Sequence, residues 1–191
     1  MARVRLNAAL GSFVGEVGNL VFWQRYGRTF ASQKPEARTP QYTEAQKVVL
    51  DRFRKATSYA RAVMADPDAR EAYDAAAKER QIPVQNVIIA DYLTAPSVDQ
   101  IDLSGYDGRA GGSIRIRASD DFDVTGVHVS IVGAEGQPIE HGPALLTSMN
   151  RGKWVYTSTI SIPAGTTIRV EATAADRPGN TAGKSEDMIV R

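Results

Sequence analysis

Ser113-Ile114-Arg115-Ile116-Arg117-Ala118 alternates apolar and polar residues without a break. Successive side chains on a strand point to opposite faces, so Ile114, Ile116 and Ala118 fall on one side and the arginines on the other. The same period of two runs through Val127-His128-Val129-Ser130-Ile131, which puts His128 on the outer face. It returns in residues 100–104, 153–160, 166–175 and 182–190. Turn residues separate these runs: Asp107-Gly108, Gly111-Gly112, Gly142-Pro143, Pro163-Ala164-Gly165 and Pro178-Gly179-Asn180. About seven short strands in about 95 residues predict an aligned β-sandwich over residues 96–191.

Ahead of the sandwich the period is that of a helix. Thr43-Glu44-Ala45-Gln46 has the form of a capping box. Ala45, Val48, Val49, Phe53, Ala56, Ala60, Val63 and Met64 then form one apolar stripe. Asp66-Pro67 restarts the chain as a second helix, with Asp as N-cap and Pro at the first helical position. Its small residues, Ala69, Ala72, Ala76 and Ala77, flank Tyr73. A third helix spans about 84–93, with Val87, Ile88 and Tyr92 on its apolar side.

The first residues read as strands. Leu20–Tyr26 and Arg28–Gln33 are rich in β-formers, and Tyr26-Gly27 between them makes a hairpin turn. An isolated hairpin is marginal in water, so this one must pack on its own chain or on a neighbouring copy. Residues 34–40, with two prolines, form a linker. The expected fold class is therefore α+β: a hairpin and helical module over 1–95, then the sandwich over 96–191.

Two stretches extend this reading by resemblance. Residues 118–129, Ala-Ser-Asp-Asp-Phe-Asp-Val-Thr-Gly-Val-His-Val, and residues 170–180, ending in Asp176-Arg177-Pro178-Gly179-Asn180, resemble bacterial immunoglobulin-like domains. That resemblance implies a disulfide-free immunoglobulin-like sandwich and no particular activity. Gly11-Ser12-Phe13-Val14-Gly15, Gly18-Asn19, Tyr26-Gly27 and Thr43-Glu44-Ala45-Gln46 resemble the opening of a bacterial protein family of unknown function, from which no functional residue carries over.

Composition narrows the chemistry. The chain has no cysteine and only His128 and His141, which excludes thiol chemistry and argues against histidine-rich zinc sites. Glu140 and His141 are adjacent on a strand and point apart. No phosphate loop, dinucleotide fingerprint or nucleophile elbow is present, so an enzyme is not expected. No apolar run is long enough to span a membrane. Residues 1–12 carry two arginines but no continuous apolar core, a poor secretory signal. Cytoplasmic synthesis is expected, with export, if any, into an extracellular or virion-like assembly.

The net charge of +1 hides a polarity. Residues 1–65 hold eleven Lys/Arg against four Asp/Glu, a net +7, and the remainder is net −6. Head-to-tail contact between copies, or an acidic partner for the basic end, suits such a charge pattern. Three roles compete on these features. The first is a structural subunit of a repeating assembly (filament, tube, sheath or phage-like particle), a homo-oligomer whose inter-subunit contacts are made by Val21, Trp23, Arg25, Tyr26, Arg28 and Phe30. The second is a nucleic-acid-associated protein, using the basic residues and aromatics of 1–65 to hold phosphate and stack bases. The third is an adhesion or carbohydrate-binding module. No cofactor is expected apart from calcium, for which Asp120, Asp121 and Asp123 in one loop, Asp176 in another, and Asp99 nearby offer oxygen ligands. Against calcium stand the common use of Asp to cap turns and Arg177, which would compete for the carboxylates.

Overall fold

The elements form where the two hydrophobic periods change. A computed structural model describes residues 2–3, 14–25, 28–34, 41–147 and 152–191. They fall into two compact units, Met1–Thr43 and Glu44–Arg191.

In the first unit, β1 (Ala2–Arg3), β2 (Gly15–Val17), β3 (Leu20–Arg25) and β4 (Arg28–Gln33) make an antiparallel sheet in the order β1-β4-β3-β2. Gly18 opens the β2–β3 turn at φ 57°, a left-handed conformation that glycine adopts without a Cβ penalty. The hairpin read from the sequence is present as β3 paired with β4, from Leu20 opposite Gln33 to Arg25 opposite Arg28. Its turn, Tyr26-Gly27, lies outside the described residues, as do Gly11 and most of the linker. Trp23 sits opposite Phe30, and their rings stack at 4.7 Å.

The second unit begins with three helices among the described residues: α1 (Glu44–Ala65), α2 (Pro67–Arg80) and α3 (Val84–Leu93). Asp66 caps α2 by accepting from the amides of Asp68 and Ala69 at 3.0 and 3.3 Å. The helix closes at Gln81, which adopts a left-handed φ of 55°. The apolar stripe of α1 divides in two. Ala56, Ala60 and Val63 are buried against α2 and α3, whereas Val48, Val49, Leu50 and Phe53 are exposed. Arg52 also ties α1 to the end of α3, donating to the Leu93 carbonyl at 2.6 Å.

The C-terminal part is a β-sandwich. One sheet orders β5 (Ser97–Asp102), β6 (Ser113–Ser119), β10 (Lys153–Thr157) and β9 (Leu145–Leu146) as β5-β6-β10-β9. The other orders β12 (Thr181–Ile189), β11 (Thr167–Asp176), β7 (Val124–Gly133) and β8 (Pro138–Pro143) as β12-β11-β7-β8. Ile114, Ile116 and Ala118 meet Val129, Ile131, Ile168 and Val170 in one core. Gly108 fits a close approach: a Cβ there would stand 2.2 Å from Val190 Cγ1, and its φ is 88°.

The sequence placed a boundary at 95/96. The structure gathers the helices and the sandwich into one compact unit, yet keeps a separate hydrophobic cluster in each. Phe122, from the β6–β7 loop of the sandwich, packs onto the helical cluster.

Candidate functional site

The β6–β7 loop carries Asp120-Asp121-Phe122-Asp123 and faces α2 and α3. Asp120 folds the loop on itself, its Oδ2 accepting from the amides of Phe122 and Asp123 at 3.3 and 3.1 Å. That turn lays the Phe122 ring on Tyr73 of α2, with ring centres 4.3 Å apart and planes 15° apart. Arg80, at the end of α2, donates to the Asp121 carbonyl. Tyr73 in turn donates its phenolic hydrogen to Asp91 Oδ2 on α3.

Asp91 is fully buried, and its second oxygen, Oδ1, has no hydrogen-bond partner among the described residues. Asp120 Oδ1 is likewise buried and unpartnered. Carboxylate oxygens of Asp91, Asp120 and Asp121 lie within 4.8 Å of one another. Burial pushes the Asp91 carboxyl up to about 7. The Tyr73 hydrogen bond works against that rise, and the negative charges of Asp120, Asp176 and Asp121 add to it. Burial, with Asp120 nearby, also raises Asp121, and Arg80 partly offsets it. The Tyr73 phenol is held well above its usual range by burial and by its bonds to Asp91 and Tyr59.

The loop carboxylates read from the sequence are thus divided. Asp120 and Asp121 come together with Asp91. Asp123 turns to Arg177, at 3.6 Å, whose guanidinium lies 5.7 Å from the centre of the Phe122 ring. Asp176 is buried in the β11–β12 turn, where its two oxygens accept from the Asn180 amide at 2.6 Å and from Asn180 Nδ2 at 2.7 Å. Asn180 Nδ2 also reaches the Tyr92 carbonyl at 3.3 Å, joining that turn to α3. Asp99 is engaged by the hydroxyls of Ser97 and Ser119 at 2.8 and 3.0 Å. Beside the cluster, a groove of about 770 Å³ runs between α2 and the sandwich, lined by Ala72, Ala76, Arg80, Asp120, Phe122 and Arg177 among others.

Sequence reasoning missed Asp91 and the polar role of Tyr73. The available signal was one carboxylate among Val87, Ile88, Ile89, Ala90 and Tyr92, set one helical turn after Val87 and Ile88 on the side they bury.

Of the residues read as inter-subunit contacts, Val21, Trp23, Arg28 and Phe30 share one face of the hairpin, because Val21 pairs with Ser32 and Trp23 with Phe30. Arg25 pairs with Arg28 through the backbone, and Tyr26 lies outside the described residues. His128 and His141 stand exposed on β7 and β8 with ring centres 5.8 Å apart. Among the described residues, no helix is long and apolar enough to cross a membrane.

Among solved structures, the chain is similar to CopC from Methylosinus trichosporium OB3b, at 12% identity and a TM-score of 0.38, over 49% of this chain and 91% of that one. It is also similar to a conjugative transposon lipoprotein from Bacteroides eggerthii DSM 20697, at 14% identity and a TM-score of 0.25, over 50% of this chain and 95% of that one. No protein-family model matches the chain, and no curated protein matches its sequence.

Proposed function

We propose that this protein is a non-enzymatic structural subunit of a repeating assembly, with the N-terminal sheet making contacts between copies and the sandwich displayed outward. The observation that carries this reading is the uncovered half of α1. Val48 and Val49 are each 67% exposed and Phe53 is 51% exposed, in one continuous helical stripe. Contiguous apolar surface of this kind marks an interaction site, because leaving it in water forgoes about 25 cal/mol for every Å² that burial would remove. The N-terminal sheet adds a second adhesive feature. Its edge strand β2 is exposed along its length, and a partner strand can extend an open edge through backbone hydrogen bonds. Contacts between two different faces of successive copies propagate unless they close into a ring.

The sandwich is best read as immunoglobulin-like. Its strand order, β5-β6-β10-β9 facing β12-β11-β7-β8, supports that reading, with the first sheet in the place of strands A, B, E and D. Placement of the assembly outside the cell or in a virion-like particle goes with this role.

Nucleic-acid binding is the second reading. It draws on Arg28, which shares a hairpin face with Trp23 and Phe30. It requires affinity that falls steeply with salt.

The deciding experiment is the mass of the purified full chain by light scattering, with negative-stain images, beside a chain lacking residues 1–35 and the full-length double variant Val49→Asp/Phe53→Asp. Large regular particles that fall to monomers in either variant support the assembly role. A monomeric full chain at tens of micromolar overturns it, and salt-sensitive retention on nucleic acid would then favour the second reading.

A further inference from the structure

Asp91 and Asp120 have the same arrangement. Each commits Oδ2 to donors of its own chain, the Tyr73 hydroxyl in one case and the Phe122 and Asp123 amides in the other. Each leaves Oδ1 buried without a partner among the described residues. An unpartnered oxygen on a buried carboxylate is a costly group, and folded proteins rarely leave one unsatisfied. Two of them come from different elements, α3 and the β6–β7 loop, whose carboxylates converge with that of Asp121 to within 4.8 Å. Among the described residues, no ion pair joins a Lys or Arg to any of the three; Arg80 bonds the Asp121 carbonyl instead.

From this convergence we propose that Asp91, Asp120 and Asp121 form a binding site for a hard divalent cation of the calcium class. Carboxylate oxygens alone, with no sulfur or imidazole, favour hard cations over softer transition metals. The Tyr73 hydroxyl and the two loop amides are the outer donors that hold Asp91 and Asp120 in place, as the partners of metal-ligating side chains commonly do. Asp121 is exposed, so the third ligand borders solvent and water can complete the coordination that calcium requires. Asp123 and Asp176 take no part, because Arg177 and Asn180 already hold them. A cation here ties α3 to the sandwich loop and neutralises the charge buried between them. The site is independent of the assembly role.

The full chain, stripped with a chelator and dialysed, is titrated with terbium as a luminescent probe excited through the neighbouring tyrosine, and then with calcium as competitor. The expected result is saturable emission at one ion per chain, reversed by calcium, together with a higher Tm in calcium. Asp121→Asn replaces an exposed side chain and is expected to weaken binding at least tenfold with the fold intact. Asp123→Asn is expected to leave binding unchanged. Asp91→Asn removes the buried negative charge and is expected to abolish the calcium-dependent rise in Tm. No saturable emission and no Tm change at millimolar calcium overturns the proposal. So does equal binding by wild type and Asp121→Asn, or a loss in Asp123→Asn as large as that in Asp121→Asn.

Discussion

In the sandwich, Ile114, Ile116, Val129, Ile131, Ile168 and Val170 are each at most 1% exposed and come from both sheets. The helical layer has a smaller core of Ala60, Val63, Tyr73, Ala77, Val87 and Ile88. It borrows Phe122 from the sandwich loop, buries a carboxylate, and leaves half of its longest helix uncovered. The difference lies in what each period can close on. Two sheets whose central strands, β6 and β11, alternate strictly bury each other's inner faces at the centre of the sandwich. The helical core is only six buried residues, two of them alanines, and encloses too little apolar volume to do the same, so the helices lean on the sandwich and keep apolar surface for another partner.

The largest expected effect comes from breaking the self-contained side of this comparison. Ile131→Ala removes a fully buried branched side chain from the meeting of the two sheets. It is expected to cost about 4 kcal/mol, the upper part of the range for such truncations. Chemical denaturation followed by tryptophan fluorescence reads it, since Trp154 lies in the same core. A cost below about 1 kcal/mol would mean that the sandwich core is loosely packed and the contrast with the helices is false.

Phe122→Ala tests the dependence of the helices on the sandwich. The ring stacks on Tyr73 and sits under Arg177. Its loss is expected to cost about 2 kcal/mol, combining lost apolar burial with the aromatic pair. The same variant should bring protease cleavage into α2 and α3 before the sandwich is touched. If helices and sandwich still resist together, the helical layer holds itself and the borrowed ring is incidental.

How much of this was legible beforehand differs between the two regions for the same physical reason. Ile114, Ile116, Val129 and Ile131 announce their burial by alternation, and β6 and β7 lie on the runs so marked; β8 and β9 carry no such mark, and Gly142-Pro143, read as a turn, lies within β8. Val48, Val49 and Phe53 belong to the same helical stripe as Ala56 and Ala60, and periodicity gives a face without saying what covers it. The β6–β7 loop was legible as an acidic cluster, but its partner Asp91 was not. A contact between residues 91 and 120 depends on how the helices dock, and neither local pattern carries that information. Asp123 and Asp176 were grouped with Asp120 in sequence; Arg177 stood out there as a competitor without showing which carboxylate it takes, and Asn180 gave no sign of holding Asp176.

Acid sharpens the comparison from the sandwich side. Burial alone would raise Glu140, but bonds from the Ser158 hydroxyl, the Thr159 amide and hydroxyl and the Tyr156 phenol outweigh it and hold the carboxyl below its ordinary value of 4.5. A carboxyl lowered in the folded state adds stability that is present above the unfolded value and is lost as pH falls through the folded one. The window therefore opens near 4.5 and extends downward. Glu140→Gln should lower stability at pH 7 by that contribution and flatten its fall with acid, so that the two curves converge at low pH. Parallel stability–pH curves for wild type and variant would show that the bonds do not distinguish the two protonation states.

The smallest effect is expected where the helical layer is open. Val49→Ser/Phe53→Ser replaces two exposed side chains, and the unfolding free energy of the isolated chain should change by no more than about 0.5 kcal/mol, as for other surface substitutions. Helix propensity differs little among Val, Phe and Ser, so the backbone gives no reason for a larger change. The same pair of substitutions should nonetheless lower the mass of any particle the protein forms, because both side chains contribute to the stripe that burial between copies would cover. A neutral effect on unfolding together with a loss of assembly separates surface kept for a partner from surface needed by the fold. A cost of about 2 kcal/mol or more in the monomer would place these residues in the chain's own core, and the asymmetry between its two layers would then belong to their sizes alone.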